Sequence, residues 1–224
     1  MFASATFHRC CQLVVVLIAI AWAAQLRAQD GNSKPLEDEI GSRYYIWQNE
    51  EVPGIFVPSG WMPDGEGLSQ ATSEKESPHS GPHCVRLYCQ LTRKPWVGIY
   101  FLLAGEWEPQ EPFNLFDALE AEKGDAIKCR FWARSADEAV VQFKIGGVTK
   151  GKIKDSLIFP VATKWIKLGP EWKMYEVDIT GKDVRSLVGG FMWVCDRQHN
   201  KARDLSFDLD DIYFVKVKNS FKKP

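Results

Sequence analysis

Along Ile127–Arg134 the side chains alternate strictly. Cys129, Phe131 and Ala133 share one parity; Arg130, Trp132 and Arg134 share the other. Successive side chains of an extended chain point to opposite faces, so this run buries its apolar set only as a strand. The same period of two recurs in Cys84–Leu91, Trp96–Leu103, Val140–Ile145, Lys173–Ile179, Val188–Cys195 and Leu205–Val215. Turn-forming residues separate these segments, and the spacing predicts an all-β sandwich. Helical spacing is confined to Phe113–Glu122, where Leu115, Leu119 and Glu122 share a face and Gly124-Asp125 ends the segment. Residues 64–83 are rich in Gly, Ser, Pro and Glu and read as a long surface loop.

The first 28 residues do not fit the alternating pattern. His8 and Arg9 precede an apolar run, Cys10–Ala24, and small residues lead to Ala28. That order is the one read by an export machine, and the apolar core is short for a membrane span of about 20 residues. The expected organisation is a signal peptide over 1–28, a flexible segment over 29–42, one β-sandwich domain over 43–217 and a basic tail over 218–224. The expected location is extracellular or periplasmic, with no membrane association after cleavage. Cleavage leaves 196 residues, enough for one substantial core. It removes Arg9 and Arg27 and no acid, so the net charge moves from −1 to −3. No nucleic-acid surface is expected from that balance.

Four cysteines follow the leader: Cys84, Cys89, Cys129 and Cys195. Cys84 and Cys89 have opposite parity in one strand and do not pair easily. Cys129 and Cys195 pair only if their strands are neighbours; otherwise all four are buried thiols.

Four short runs resemble the galactose-binding-like jelly-roll modules, the shape of many carbohydrate-binding modules of secreted bacterial proteins. They are His79-Ser80-Gly81 before Cys84-Val85-Arg86-Leu87, then Phe131-Trp132-Ala133-Arg134, then Glu171–Ile179, and last Phe207–Phe214. They occur in the order found in those modules. The resemblance implies an all-β jelly roll, a carbohydrate ligand (a poly- or oligosaccharide) and a structural Ca²⁺. Asp210 stands where such modules often place a calcium-binding aspartate. It also shares sequence parity with Ile212 and Phe214, and an inward carboxylate needs a cation or several donors. Glu50 or Glu51 is a further candidate ligand.

A sugar presents apolar C–H faces ringed by hydroxyls, so its site needs an aromatic ring with directed polar groups beside it. Eight tryptophans follow residue 28: Trp47, Trp61, Trp96, Trp107, Trp132, Trp165, Trp172 and Trp193. Trp132 shares a strand face with Arg130 and Arg134, and Gln142 and Lys144 oppose the apolar Val141, Phe143 and Ile145. If the two strands are neighbours, Trp132, Arg130, Gln142 and Lys144 form one platform. Trp96 and Tyr100 share parity and either extend it or belong to the core. Trp193, with Phe191 and Cys195, is expected in the core. Trp107 either plugs a sheet edge or clamps a ligand. The polar run Asp196–Asn200 is a candidate rim.

No nucleophile elbow, phosphate loop or dinucleotide fingerprint is present. His79 and His83 have a zinc-like spacing, but Ser80-Gly81-Pro82 between them forbids the helix that spacing needs. The expected protein is therefore non-catalytic. A polysaccharide lyase using Arg130, Lys144 and Tyr100, a glycosidase with paired carboxylates such as Glu106 and Glu108, and a cell-surface protein-binding domain are the alternatives. Oligomeric state and the identity of the sugar are not encoded in any motif.

Overall fold

Two six-stranded antiparallel sheets pack face to face. The computed structural model describes residues 36, 38–48, 55–73, 77–103 and 111–218. The signal-peptide segment, Glu50, Glu51, Glu106, Trp107, Glu108 and the last residues of the basic tail lie outside these. Among the described residues no helix is long and apolar enough to cross a membrane.

The strands are β1 (Glu39–Trp47), β2 (Phe56–Met62), β3 (Leu68–Ser73), β4 (Cys84–Cys89), β5 (Trp96–Leu103), β6 (Ala126–Arg134), β7 (Val140–Ile145), β8 (Val161–Ala162), β9 (Ile166–Lys167), β10 (Lys173–Asp178), β11 (Gly189–Asp196) and β12 (Leu205–Val217). The first sheet runs β10-β6-β12-β4-β3. β12 is long enough to pair β4 through Leu205–Leu209 and β1 through Ile212–Val217. The second sheet runs β2-β5-β11-β7-β8, with β9 also on β7. The expected β-sandwich jelly roll is therefore observed. The loop expected over 64–83 contains β3, and the lead-in expected over 29–42 contains the start of β1. Among the described residues the one helix, α1 (Leu115–Ala118), is a single turn, capped by the Asn114 side chain, which accepts from the Phe116 and Asp117 amides.

The core lies between the sheets. Ile127, Cys129, Phe131 and Ala133 of β6 point into it, as do Val141, Phe143 and Ile145 of β7. Phe131 meets Phe143 with ring centroids 4.4 Å apart, and Phe191 lies 5.1 Å from Phe131. Burying a ring of this size contributes on the order of 2–3 kcal/mol. Trp193 is fully buried, edge-on to Phe207.

The Phe131–Phe143 contact crosses the sandwich, so β6 and β7 belong to opposite sheets. The five residues between them form an arch, not a hairpin. Ser135 Oγ donates to the Ser206 carbonyl of the first sheet, while the Val140 amide donates to Asn200 beyond the second.

All four described cysteines are free and buried. Cys129 lies in the first sheet and Cys195 in the second, so their strands are not neighbours. The Cys195 thiol donates weakly to the Val140 carbonyl at 3.7 Å and contacts Cys89 across the core.

Candidate functional site

Strand register sets out the outer face of the second sheet in rows. Core-facing Val97, Ile99 and Phe101 leave Trp96, Gly98 and Tyr100 pointing outward from β5. In the first row Gly60, Tyr100, Met192, Lys144 and Ala162 lie side by side across five strands. In the second row Met62, Gly98, Val194 and Gln142 do so. In the third, Trp96 pairs with Asp196. Trp96 and Tyr100 are four residues apart on one strand, roughly 13 Å.

The floor between them is low because of two glycines. A Cβ on Gly98 would come within 2.5 Å of the Trp193 carbonyl oxygen and 3.2 Å of Met62 and Val194. A Cβ on Gly60 would sit 2.8 Å from Tyr100 Cβ. Met192 and Val194, nearly buried, make the floor apolar. Trp96 is half-buried, and among the described residues nothing stacks on its indole or hydrogen-bonds to it.

Both ends of this face are walled. Beyond Trp96, Asp196 accepts from the His199 amide at 2.7 Å and pairs with His199 Nδ1 at 2.8 Å. The His199 ring stacks on Trp165, centroids 4.1 Å apart. Gln142 Nε2 donates to the Thr163 carbonyl at 3.0 Å, fixing its amide at the edge of the floor. Beyond Tyr100, Asp155 and Val148 converge with the Tyr100 ring over Gly189. Burial, and then the Asp155 carboxylate, push the Tyr100 phenol above its usual range. Burial holds the Lys144 ammonium below the usual lysine range.

Four of the six expected ligand residues, Trp96, Tyr100, Gln142 and Lys144, are thus brought onto one face. Trp165 and His199 join them; Trp165 sits between two-residue strands whose sequence shows no alternation. Trp132 and Arg130 are not part of it. They point outward as their parity requires, but from the opposite sheet, because the arch at 135–139 carries the chain across the sandwich.

Their surroundings explain what they do instead. Arg130 is 3% exposed and binds Asp38 and Glu39 through its two terminal nitrogens. Trp132 lies under the segment 77–83. The His79 ring stacks on it with centroids 3.7 Å apart and planes 16° apart. Trp172 donates from Nε1 to the Ser77 carbonyl, and the Arg134 guanidinium lies over the Trp172 ring. Arg86 and Arg134 share the Asp208 carboxylate.

Asp210 is fully buried, but not among the core side chains. It pairs with Trp132, and the ladder shifts register between Asp210 and Tyr213, where Asp211 has φ 44°. This bulge inverts the parity, so Ile212 and Phe214 face the core while Asp210 faces the segment 77–83. Its carboxylate accepts from the amides of His79 at 2.8 Å, Ser80 at 3.1 Å and Asp211 at 2.8 Å. Asp211 accepts from Ser80 Oγ and pairs with His79 Nδ1. Three N–H groups offset part of the lost hydration of Asp210, and a calcium ion would face those donors rather than oxygens. Among the described residues no three His, Cys, Asp or Glu side chains gather as a metal site. Among the described residues the donor set around Asp210 does not fit the expected Ca²⁺, and Glu50 and Glu51 lie outside them.

A cavity of about 290 Å³ lies elsewhere, lined by residues that include Tyr88, Asp137, Asp204 and Ser206. Its carboxylates are engaged: Asp137 accepts from the Ser206 amide and hydroxyl, Asp204 from those of Thr92.

No protein-family model and no curated protein matches this sequence. Solved structures do match. A family 30 carbohydrate-binding module aligns over 82% of this chain and 92% of its own, with 13% identity and a TM-score of 0.54. The family 30 module of a cellulosomal cellulase of Clostridium thermocellum aligns over 80% and 99%, with 14% identity and a TM-score of 0.52. The fold is that of the carbohydrate-binding-module β-sandwiches. An exo-β-agarase also matches, with 11% identity and a TM-score of 0.51, over 82% of this chain but only 26% of the enzyme. This fold therefore covers about a quarter of that enzyme.

Proposed function

We propose that this protein is an exported, non-catalytic carbohydrate-binding domain whose poly- or oligosaccharide ligand lies across the outer face of the second sheet. The observation that carries this reading is the arrangement of Trp96 and Tyr100 on one strand, with a glycine-lowered apolar floor between them and the polar ends of Gln142 and Lys144 beside it. An open indole stacks on a sugar face, and the flanking amide and ammonium meet hydroxyls. The structures that share the fold include modules named for carbohydrate binding, which supports the same class of ligand. The apolar leader supports export.

The lyase reading loses Arg130, which lies in the other sheet. Tyr100 is also a poor proton acceptor, since its surroundings oppose the phenolate.

A glycan array probed with the protein and with Trp96→Ala tests the proposal. Binding to a defined set of glycans is expected, weakened by about 1–3 kcal/mol in the variant, as for other truncated aromatic anchors. Release of new reducing ends or unsaturated sugars from a bound polymer would contradict the non-catalytic reading. Equal binding by a folded Trp96→Ala protein would contradict the site.

A further inference from the structure

Lys144 is an unusual cation for this molecule. It projects from the middle of a row whose neighbours on either side are Met192 and Ala162. It is partly buried, and burial alone lowers its pKa. Among the described residues no carboxylate pairs with it. Other partly buried cations have partners: Lys94 meets Asp64 and Glu66, Lys128 meets Glu176, Arg134 meets Asp208, and Arg197 and Lys216 donate to backbone carbonyls. A half-desolvated ammonium without a counter-charge is unfavourable until an anion arrives.

The wall beside Tyr100 carries the same sign. The segment from Val148 to Asp155 presents Lys150 and Lys154 to solvent. Its acid, Asp155, is turned inward and accepts from the amides of Val148 at 2.6 Å, Val188 at 2.5 Å and Gly189 at 3.1 Å. These bonds pin the two ends of the segment against the start of β11, beside Tyr100. Tyr100 links the two features: its row contains Lys144, and its ring touches the cluster over Gly189.

From this geometry we infer that the ligand is an acidic polysaccharide, one whose sugars carry carboxylate or sulfate groups. One anionic group meets Lys144 while the chain passes over Tyr100 toward the lysines of the 148–155 segment. The inference rests on reading the second sheet's outer face as the glycan platform.

Affinity electrophoresis in gels containing polygalacturonate, a sulfated galactan, or neutral xylan separates the outcomes. The expected result is retardation by at least one acidic polymer and about tenfold weaker retardation by xylan. Retardation should fall several-fold as salt shortens the screening length to roughly 3 Å at 1 M. Lys144→Gln should reduce the preference for the acidic polymer about tenfold with an unchanged melting temperature, and Trp96→Ala should weaken binding as well. The polymer that retards the protein identifies the group as carboxylate or sulfate. Equal retardation by xylan, untouched by Lys144→Gln, overturns the charge proposal and leaves the platform standing. Acidic retardation indifferent to both Lys144→Gln and Trp96→Ala is adsorption to surface lysines and overturns it too. No retardation by any polymer, or by others tried on an array, removes the platform and this inference together.

Discussion

The Trp132 indole is held face to face by the His79 imidazole, 3.7 Å between centroids. His79 is held in turn by the Asp211 carboxylate at 2.9 Å. This stack fastens the segment 77–83 to the first sheet and leaves the indole no free face on that side. Trp132→Ala should therefore destabilise the protein by about 2 kcal/mol, below the 3–5 kcal/mol of a fully buried tryptophan because Trp132 is only partly buried. Chemical denaturation measures this. Glycan affinity in the folded variant should match the parent protein.

Arg130 gives a companion expectation. It is 3% exposed against the 2% exposed Glu39. Removing one partner of a buried pair costs about 3–5 kcal/mol. Arg43 and Tyr213 still serve Glu39, so Arg130→Ala should fall near the low end, about 3 kcal/mol. Urea unfolding reads the loss, and binding by the folded fraction should be unaffected.

Asp210 makes stability depend on pH. Burial, and then the neighbouring Asp211, push its carboxyl up to about 7 from an ordinary 3.8, against the lowering effect of its N–H donors. The folded state then holds the proton more tightly than the unfolded state. That contribution favours folding fully below about pH 4 and is lost as pH rises through about 7. Salt-bridged acids such as Asp38, whose pKa Arg130 lowers, act in the opposite direction. The difference between the parent and Asp210→Asn isolates the effect. The variant should gain on the parent by a few kcal/mol between pH 4 and pH 8. A difference that does not change with pH would show that the donors, not burial, set this carboxyl. Because amide N–H groups occupy the carboxylate, a calcium chelator should leave the melting temperature unchanged.

The described cysteines should be inert while the protein is folded. Burial, then nearby Asp208 and Asp210, raise Cys84 to about 12; burial likewise raises Cys129 and Cys195. Alkylation at pH 8 followed by peptide mapping should show no modification of Cys84, Cys89, Cys129 or Cys195 until denaturant is added. A Cys129–Cys195 disulfide would instead leave those two unmodified after unfolding without reductant.

Much of this architecture is legible in the sequence because alternation is local. Trp96, Tyr100, Gln142 and Lys144 face outward as their parity requires, and Trp193 faces the core. Strand neighbours are not a local property. The five residues of Ser135–Ala139 are as short as a hairpin loop, and nothing in them announces that β6 and β7 part company. A bulge is equally silent: the positive φ of Asp211 inverts Asp210 relative to Ile212. β2 escapes the period because Pro58 and Gly60 interrupt it, yet Gly60 makes room for Tyr100. Trp165 and His199 meet through a turn and two-residue strands, too short to carry a pattern.

The tryptophan side-chain N–H resonances give the most direct test. A titration of the ¹⁵N-labelled protein with a bound oligosaccharide should shift the Trp96 indole signal and leave those of Trp132 and Trp172 in place. Shifts at Trp132 and Trp172 with Trp96 unmoved would place the ligand on the other sheet and contradict the account.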